Sequence, residues 1–558
     1  MVNIKNVAKK INNQLINRGY GPKNYPNKFK YILNHCEFDE ENFCEKVINS
    51  STSNKANIKL ASKYTIMDAK NFWKKKYFED DEDIGYLHRW SWALNLILEK
   101  NNYKKSFTQK YIKVVINNWF AKYQNSSFDN KKIEWYPYNI SERISNYVLL
   151  IELNILKKNN IFLKLLKKQM YFLTKNMEFY KNKKSNHSLN NARAIFLLSC
   201  ITKNEIFKKF SLDLILFLCK EFIDKDGFFK FGSSHYQFIF TRWLIDIHNV
   251  GKKYNAKKIN NLKSYLDKSL NACNFFIQID NQNKKTIPLF GNISPDFTPE
   301  FLINNFNQFY KKIALSKKKI KKNNEWFKLE NKYQSIYFRN PIINGFNFNH
   351  AHSDFFHFVN FFKGTQVFVD IGRQNYLKDN LKYALANAHN SICFENSGFF
   401  DNFIKKDFLT RIGLVELSKK KYLVKKSKNC IRFIVLFDDG STIERKFQLK
   451  GKILVIENNF KKFRNKKKMQ MLFYLDNKIK ISKKNQQSLF LKSNLINSSL
   501  EIQSTNNDLK IEFDRSKKEK FKLNQCKSYG FGKKISCICI KSSGKKNYKI
   551  TIKLEFLK

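Results

Sequence analysis

The sequence predicts an α+β chain of several domains, a helical N-terminal part followed by an antiparallel β-sandwich. Two textures carry this reading. From about Tyr86 to Phe309 the apolar residues recur at helical spacing, which is the mark of amphipathic helices. From Glu325 onward, short runs rich in β-branched and aromatic residues are cut by turn residues, as in antiparallel sheets. Length agrees, since 558 residues leave room for about two to four domains and a large core. The expected division is a cap over 1–80, a helical domain over 81–313, a basic linker over 314–324 and a β domain over 325–558.

The helical segments expected, in order, are Tyr86–Lys100, Gln109–Tyr123, Ser141–Lys157, Ser188–Cys200, Ile206–Ile223, Tyr236–Val250 and Ala256–Ile277. Ser141 is the expected cap of its helix, because a side-chain oxygen there can accept from a free backbone N–H. Connections such as Lys181–Ser185 and Asp224–Gly227 are short and polar, so successive helices pair antiparallel in a bundle, solenoid or toroid. No fixed repeat stands out, which argues against a regular solenoid. The linker, Ala314–Asn324, carries Lys317–Lys319 and Lys321–Lys322.

The strands expected beyond it are Ser335–Arg339, Phe355–Phe362, Gln366–Ile371, Ser391–Glu395, Cys430–Phe437, Thr442–Leu449, Lys452–Glu457, Met469–Leu475, Lys510–Phe513 and Tyr548–Phe556. Lys363-Gly364, Asp438–Gly440 and Gly451 supply turns. Many short strands at close spacing suit a sandwich.

Lys and Arg total 104 against 47 Asp and Glu, a formal charge of +57. Such a balance favours polyanionic partners, although a text rich in Lys, Asn, Ile and Phe also follows from A/T-rich base composition. No RNA-binding aromatic signature, zinc finger or phosphate-cradling loop accompanies the charge, so specific nucleic-acid recognition is not expected. The longest apolar run, Leu212–Cys219, contains Asp213 and is far shorter than the roughly 20 residues of a membrane span. Met1–Gly21 has no apolar stretch of the secretory kind, so the sequence alone points to the cytoplasm. The ten Cys are scattered without a CxxC pair; reduced thiols are expected, not a disulfide framework or a thiolate zinc site.

Histidine is scarce and unevenly placed, nine in all. His350, His352 and His357 lie close together, Asp370 ends the following strand, and His389 comes after it. Histidine nitrogen with carboxylate oxygen is a donor set for zinc; hydrogen bonds alone would also satisfy these groups. If Lys363-Gly364 is a two-residue turn, Asp370 falls opposite His357, and a bulge or longer turn is needed to bring it to His352. Spacing does not choose between them. In the helical part, Asn186 and His187 precede a helix, whose N-terminus favours anions. Gly232–Tyr236, with His235 and Tyr236, opens another, and Arg242 follows. Tyr236 is a candidate acid/base or an ordinary amphipathic core residue.

Taken together, the order of these motifs resembles that of the heparinase II/III-type polysaccharide lyases. Trp135-Tyr136-Pro137-Tyr138 with Arg143-Ile144, Asn186-His187-Ser188-Leu189-Asn190-Asn191-Ala192, and Asp226-Gly227 with Gly232–Tyr236 are similar to steps of that family. So are His350-Ala351-His352-Ser353-Asp354, Val369-Asp370-Ile371-Gly372 and Ala388-His389-Asn390-Ser391. The resemblance runs in order over Tyr86–Asn396.

It implies an incomplete (α/α) toroid before the sandwich and an enzyme acting on an anionic, uronate-containing polysaccharide by β-elimination. Position by position, it makes Asn186 and His187 the groups facing the substrate carboxylate, Tyr236 the acid/base and His350 the second catalytic imidazole. It makes His352, Asp370 and His389 the ligands of a divalent metal such as zinc, expected to be structural; no organic cofactor is implied. Arg143, Asn190, His235 and Arg242 would line the substrate. Asn190 departs from the pattern, since several relatives carry Glu there, and the missing export signal departs from a family usually sent to the periplasm or beyond. Alternatives are a C5 epimerase or other glycan-modifying enzyme of polysaccharide assembly, using the same proton abstraction, and a non-catalytic polyanion-binding protein.

Overall fold

Cap and turn chemistry decide where the elements begin. The computed structural model describes residues 21–38, 47–61, 64–74, 78, 81–99, 103–180, 183–294, 296–314, 320, 323–340, 350–352, 354–372, 384–394, 422–437, 440–462, 469–505, 510–513, 536–542 and 548–557. The expectations for Lys317–Lys319, Lys321–Lys322, Asn349, Ser353, Glu395, Asn396 and most of the turn Asp438–Gly440 lie outside these residues, as do the first 20 residues of the cap. The chain forms two units: Met1–Gly227, Ile239–Ser269 and Asn305–Phe309 in the first, and Phe228–Phe238, Leu270–Asn304 and Tyr310–Lys558 in the second.

The first unit is helical. Its helices are α1 (Asp81–Arg89), α2 (Ser91–Leu98), α3 (Lys105–Tyr123), α4 (Pro137–Glu152), α5 (Asn160–Lys175), α6 (Asn186–Ile201) and α7 (Glu205–Phe222). Two asparagines cap as their chemistry dictates: Asn159 accepts from the Phe162 N–H and Asn204 from the Phe207 N–H, at 3.0 and 3.1 Å. Ser141 is not a cap. The helix starts one turn earlier at Pro137, whose fixed φ suits a first helical position, and the Ser141 hydroxyl donates back to the Pro137 carbonyl. The single helix expected over Tyr86–Lys100 is two, broken at Trp90 with φ 61°. Helix α6 is the hub, buried at every residue from Ser188 to Ile201 and packed on α4, α5 and α7.

Helix α8 (Ser234–Lys253) starts in the second unit and continues into the first; α9 (Lys263–Phe276), α10 (Pro299–Asn304) and α11 (Asn307–Ala314) follow. The sequence predicts one passage between domains, at 314–324. The structure instead assigns 228–238 and 270–304 to the β unit, because these segments bond to its strands: Tyr337 Oη donates to the Phe275 carbonyl and accepts from Gln278 Nε2.

Among the described residues the second unit holds two antiparallel sheets of eight strands, besides a two-stranded ribbon of Gln278–Ile279 and Lys285–Thr286; the strands of the two large sheets follow. In chain order they are β1 (Trp326–Glu330), β2 (Gln334–Arg339), β3 (Phe358–Phe362), β4 (Thr365–Phe368), β5 (Ile392–Phe394), β6 (Tyr422–Lys426), β7 (Cys430–Leu436), β8 (Thr442–Lys450), β9 (Ile453–Lys461), β10 (Met469–Leu475), β11 (Lys480–Lys483), β12 (Ser488–Lys492), β13 (Asn497–Ser504), β14 (Lys510–Phe513), β15 (Ser536–Ser542) and β16 (Tyr548–Phe556). One sheet runs β14-β15-β10-β4-β3-β2-β1, with β5 also on β10; the other runs β6-β7-β8-β9-β16-β13-β12-β11. Alternation along β8 and β9 turns Ile443, Phe447, Leu454 and Ile456 inward. Across the sheets Phe338 meets Phe447 at 4.7 Å between centroids, and Phe362 stacks on Phe556 at 4.0 Å. One hydrophobic core therefore lies between two sheets, as the alternation predicts.

Among the described residues the cysteines are free thiols, and no helix is long and apolar enough to cross a membrane.

Candidate active site

Two glycines allow three segments of the second unit to meet. Gly232 and Gly291 have φ of +69° and +71°, a region side chains avoid. A Cβ on Gly291 would sit 2.2 Å from the His350 carbonyl oxygen and 2.5 Å from that of Gly232. Hydrogen bonds then stitch the segments: Asn292 N–H donates to His350 O at 2.7 Å, Ser233 Oγ to Asn292 O at 2.7 Å and Ser234 Oγ to Pro288 O at 2.6 Å. Arg339 anchors the segment following His352 through both oxygens of Asp354, while its Nε donates to Glu325.

This framework lays the Tyr236 ring on the His350 ring, centroids 3.7 Å apart and 14° from parallel. Both residues are buried. A phenol and an imidazole, the two side chains expected to move protons, are thus adjacent although 114 positions separate them in the chain.

A second cluster lies in the same unit. His352, Asp370 and His389 each offer a ligand atom, and these atoms lie within 4.8 Å of one another. The hairpin resolves its own ambiguity. Lys363 and Gly364 form the two-residue turn, both at positive φ, and the register then shifts between Gln366 and Phe368. That irregularity is the bulge the spacing argument required. His357 does reach Asp370, with Nε2 3.1 Å from Oδ2, but its Nδ1 accepts the Asn390 N–H at 3.0 Å. An acceptor Nδ1 leaves the proton on Nε2. His357 is therefore a tautomer-fixed neighbour of the carboxylate, while the ligand atoms of His352, Asp370 and His389 lie close enough together to hold an ion.

Asp370 Oδ1 accepts the Gly372 N–H, and Oδ2 lies 2.9 Å from His389 Nδ1. Burial alone would raise the Asp370 pKa; His389 and His357 overcome it and hold the carboxyl well below the usual range. His357 itself is pushed below its ordinary value, chiefly by burial and against the pull of Asp370. Nitrogen and carboxylate donors suit zinc, whose tetrahedral ligands sit about 3.4 Å apart at bonds of about 2.1 Å, a contraction the observed spacing permits. Asn292 Oδ1 touches His352 Nε2 at 2.9 Å. Asn390 ties Phe358 O, Val369 O and Tyr474 N together. The residues fit a divalent ion.

In the first unit, Asn186 and His187 occupy the first turn of α6. Asn186 is buried and the His187 side chain is 36% exposed. His187 Nδ1 lies 2.8 Å from Glu178 Oε1, and its ring packs on Tyr138 at 4.6 Å.

The four expected substrate-lining residues each have partners within their own unit. Arg143 donates to Gln169 Oε1, His88 O and Glu134 O from a fully buried guanidinium. Asn190 Oδ1 accepts from Arg193, His235 Nδ1 accepts the Ser294 N–H, and Arg242 lies against Asp246 and Phe306. All are buried, as Tyr236, His350 and Asn186 are, so burial does not separate them from the candidate site. Glu178 and Asn292 carry no mark in the sequence, since a lone acid or amide has no spacing signal; His357 is the alternative to His352 that spacing leaves open, and Asn390 stands only within the Ala388–Ser391 motif.

No family model and no curated protein sequence matches the chain. Solved structures do. A heparinase III structure aligns with TM-score 0.63 and 15% identity over 95% of this chain and 84% of its own. Another heparinase III, the BT4657 gene product, gives 0.56 and 12% over 88% and 80%. The heparan sulfate lyase HepC from Pedobacter heparinus gives 0.51 and 14% over 88% and 80%. The chain thus has a heparinase-like polysaccharide lyase fold, with helices followed by two large antiparallel sheets.

Proposed function

We propose that this chain, built on the heparinase III fold, is a lyase cleaving an anionic uronate-containing polysaccharide by β-elimination, its helices forming the incomplete toroid. The observation that carries the reading is the Tyr236–His350 stack, which sets an acid and a base side by side. In the reaction the C5–H bond breaks and its proton passes to the His350 imidazole. The electron pair left behind forms the C4–C5 double bond, the C4–O bond breaks, and the leaving oxygen takes the proton of the Tyr236 phenol. Such transfers require heavy-atom separations of about 2.6–3.2 Å in the productive complex.

The C5 proton is weakly acidic because the neighbouring carboxylate is already negative. Donors that strengthen their hold as charge builds up lower that barrier; Asn186 and His187 are the donors we assign to this task. His352, Asp370 and His389 would hold a divalent ion, whose positive charge fixes the segments that carry them and so the wall bearing His350.

The test is incubation of the purified protein with a panel of uronate polymers, heparan sulfate among them, following the ultraviolet absorbance of unsaturated ends. Tyr236→Phe and His350→Ala should each lower turnover by about 10²-fold or more while leaving the melting temperature within a few degrees. Retained turnover in either variant removes that residue from the mechanism. Deuterium uptake at C5 without chain scission would select an epimerase, and salt-sensitive binding without chemistry a polyanion-binding protein.

A further inference from the structure

A buried carboxylate is costly unless donors surround it, and Glu178 is only 2% exposed in a chain where acids are outnumbered more than two to one. Its surroundings are built for it. Glu178 Oε1 lies against His187 Nδ1 at 2.8 Å, and Oε2 accepts from Asn191 Nδ2 at 3.1 Å. Asn191 Oδ1 in turn accepts the Glu178 N–H at 2.7 Å, and its amide also donates to Ser141 Oγ. The Glu178 carbonyl takes the Ser185 hydroxyl, one residue before α6. Backbone and side chain are both fixed, and the single imidazole they serve is partly open to solvent.

We propose that Glu178 is the positioning residue of His187: it accepts the Nδ1 proton, fixes the ring against Tyr138 and, when the ring carries both protons, leaves Nε2–H as the donor presented to a uronate carboxylate. The inference rests on the lyase reading for its substrate, not for its geometry. A carboxylate serves both donors, His187 and Asn191, with separate oxygens. Glutamine has one carbonyl oxygen, so Glu178→Gln leaves one donor facing an N–H₂ group.

Two measurements test it. Ring-nitrogen NMR on histidine-labelled protein, at a pH where His187 is neutral, should show the Nδ1–H tautomer in the wild type and its loss in Glu178→Ala. The Nε2–H tautomer in the wild type overturns the proposal whatever the enzyme does. On a cleaved uronate polymer, Glu178→Gln and Glu178→Ala should lower kcat by about 10²-fold with KM changed less than threefold. The double variant Glu178→Ala/His187→Ala should be no slower than His187→Ala alone, because a residue acting only through His187 has nothing left to act on. Additive losses, or full activity in Glu178→Gln, overturn the proposal while the lyase reading stands. Failure of the wild type to cleave any polymer defeats that reading and leaves the tautomer result to decide the pair.

Discussion

His88 shows how one buried ring makes a whole unit pH-sensitive. It is fully buried in α1, its Nδ1 accepts from Trp119 Nε1 at 3.0 Å, and Trp73 stacks on its face at 5.3 Å. Burial, with Arg143 and Lys122 nearby, holds its pKa well below 6.5. The unfolded chain takes up a proton near 6.5 while the folded one does not. Stability from this residue is therefore complete above pH 6.5 and falls as the pH drops below it, by at most about 1.4 kcal/mol per pH unit. His88→Asn keeps an acceptor near the Nδ1 position but cannot titrate. We expect its urea midpoint, followed by the fluorescence of Trp73 and Trp119, to change less between pH 7 and 5 than that of the wild type. Identical slopes would show that His88 is not the sensor. At this scale the sequence was only partly legible. His350, His352 and His389 stand out because histidines are rare and clustered, yet nothing in the text tells that Arg143 is held by Gln169 or Arg242 by Asp246. A one-dimensional text does not say which side of a helix faces its core.

At the scale of elements, the bulge between β3 and β4 does the selecting. A regular two-residue hairpin would commit Asp370 to His357; one shifted residue lets it serve the group with His352 and His389 as well. Period-two counting can state the need for a bulge but cannot place it, because no residue type marks one. Strand positions were easier. Met469–Leu475 and Tyr548–Phe556 begin and end where the sequence places them, the first buried at every residue, whereas β11 to β13 lie in a polar stretch without a clear strand signal. The cluster yields its own prediction. An ion bound only by the folded chain stabilises it by RT ln(1 + [M]/Kd), about 2.7 kcal/mol at a hundredfold excess over Kd. Dialysis against a chelator should lower the melting temperature, and added zinc should restore it. His352→Ala, which removes one donor, should abolish both shifts; His357→Ala should keep them, since His357 orients the carboxylate without binding the ion. Equal responses in the two variants would refute the assignment of ligands.

For the molecule as a whole, the open question is whether a charge of +57 serves a substrate or merely records base composition. The two accounts differ in range. Charge that gathers a polyanion acts through solvent over a Debye length, which shrinks from about 10 Å in 0.1 M salt to about 3 Å in 1 M. Contacts inside a buried pair such as Tyr236 and His350 are far less screened. If the field draws in a uronate polymer, KM should rise about tenfold or more across that salt range, and kcat should change less than twofold, because chemistry follows binding. Oligosaccharides of two or three sugars, carrying few charges, should show a much flatter dependence, since each added carboxylate contributes its own share of the attraction. A KM that ignores salt for polymer and short oligosaccharide alike would assign the lysines to composition, and recognition would then rest on the few donors that touch the sugar.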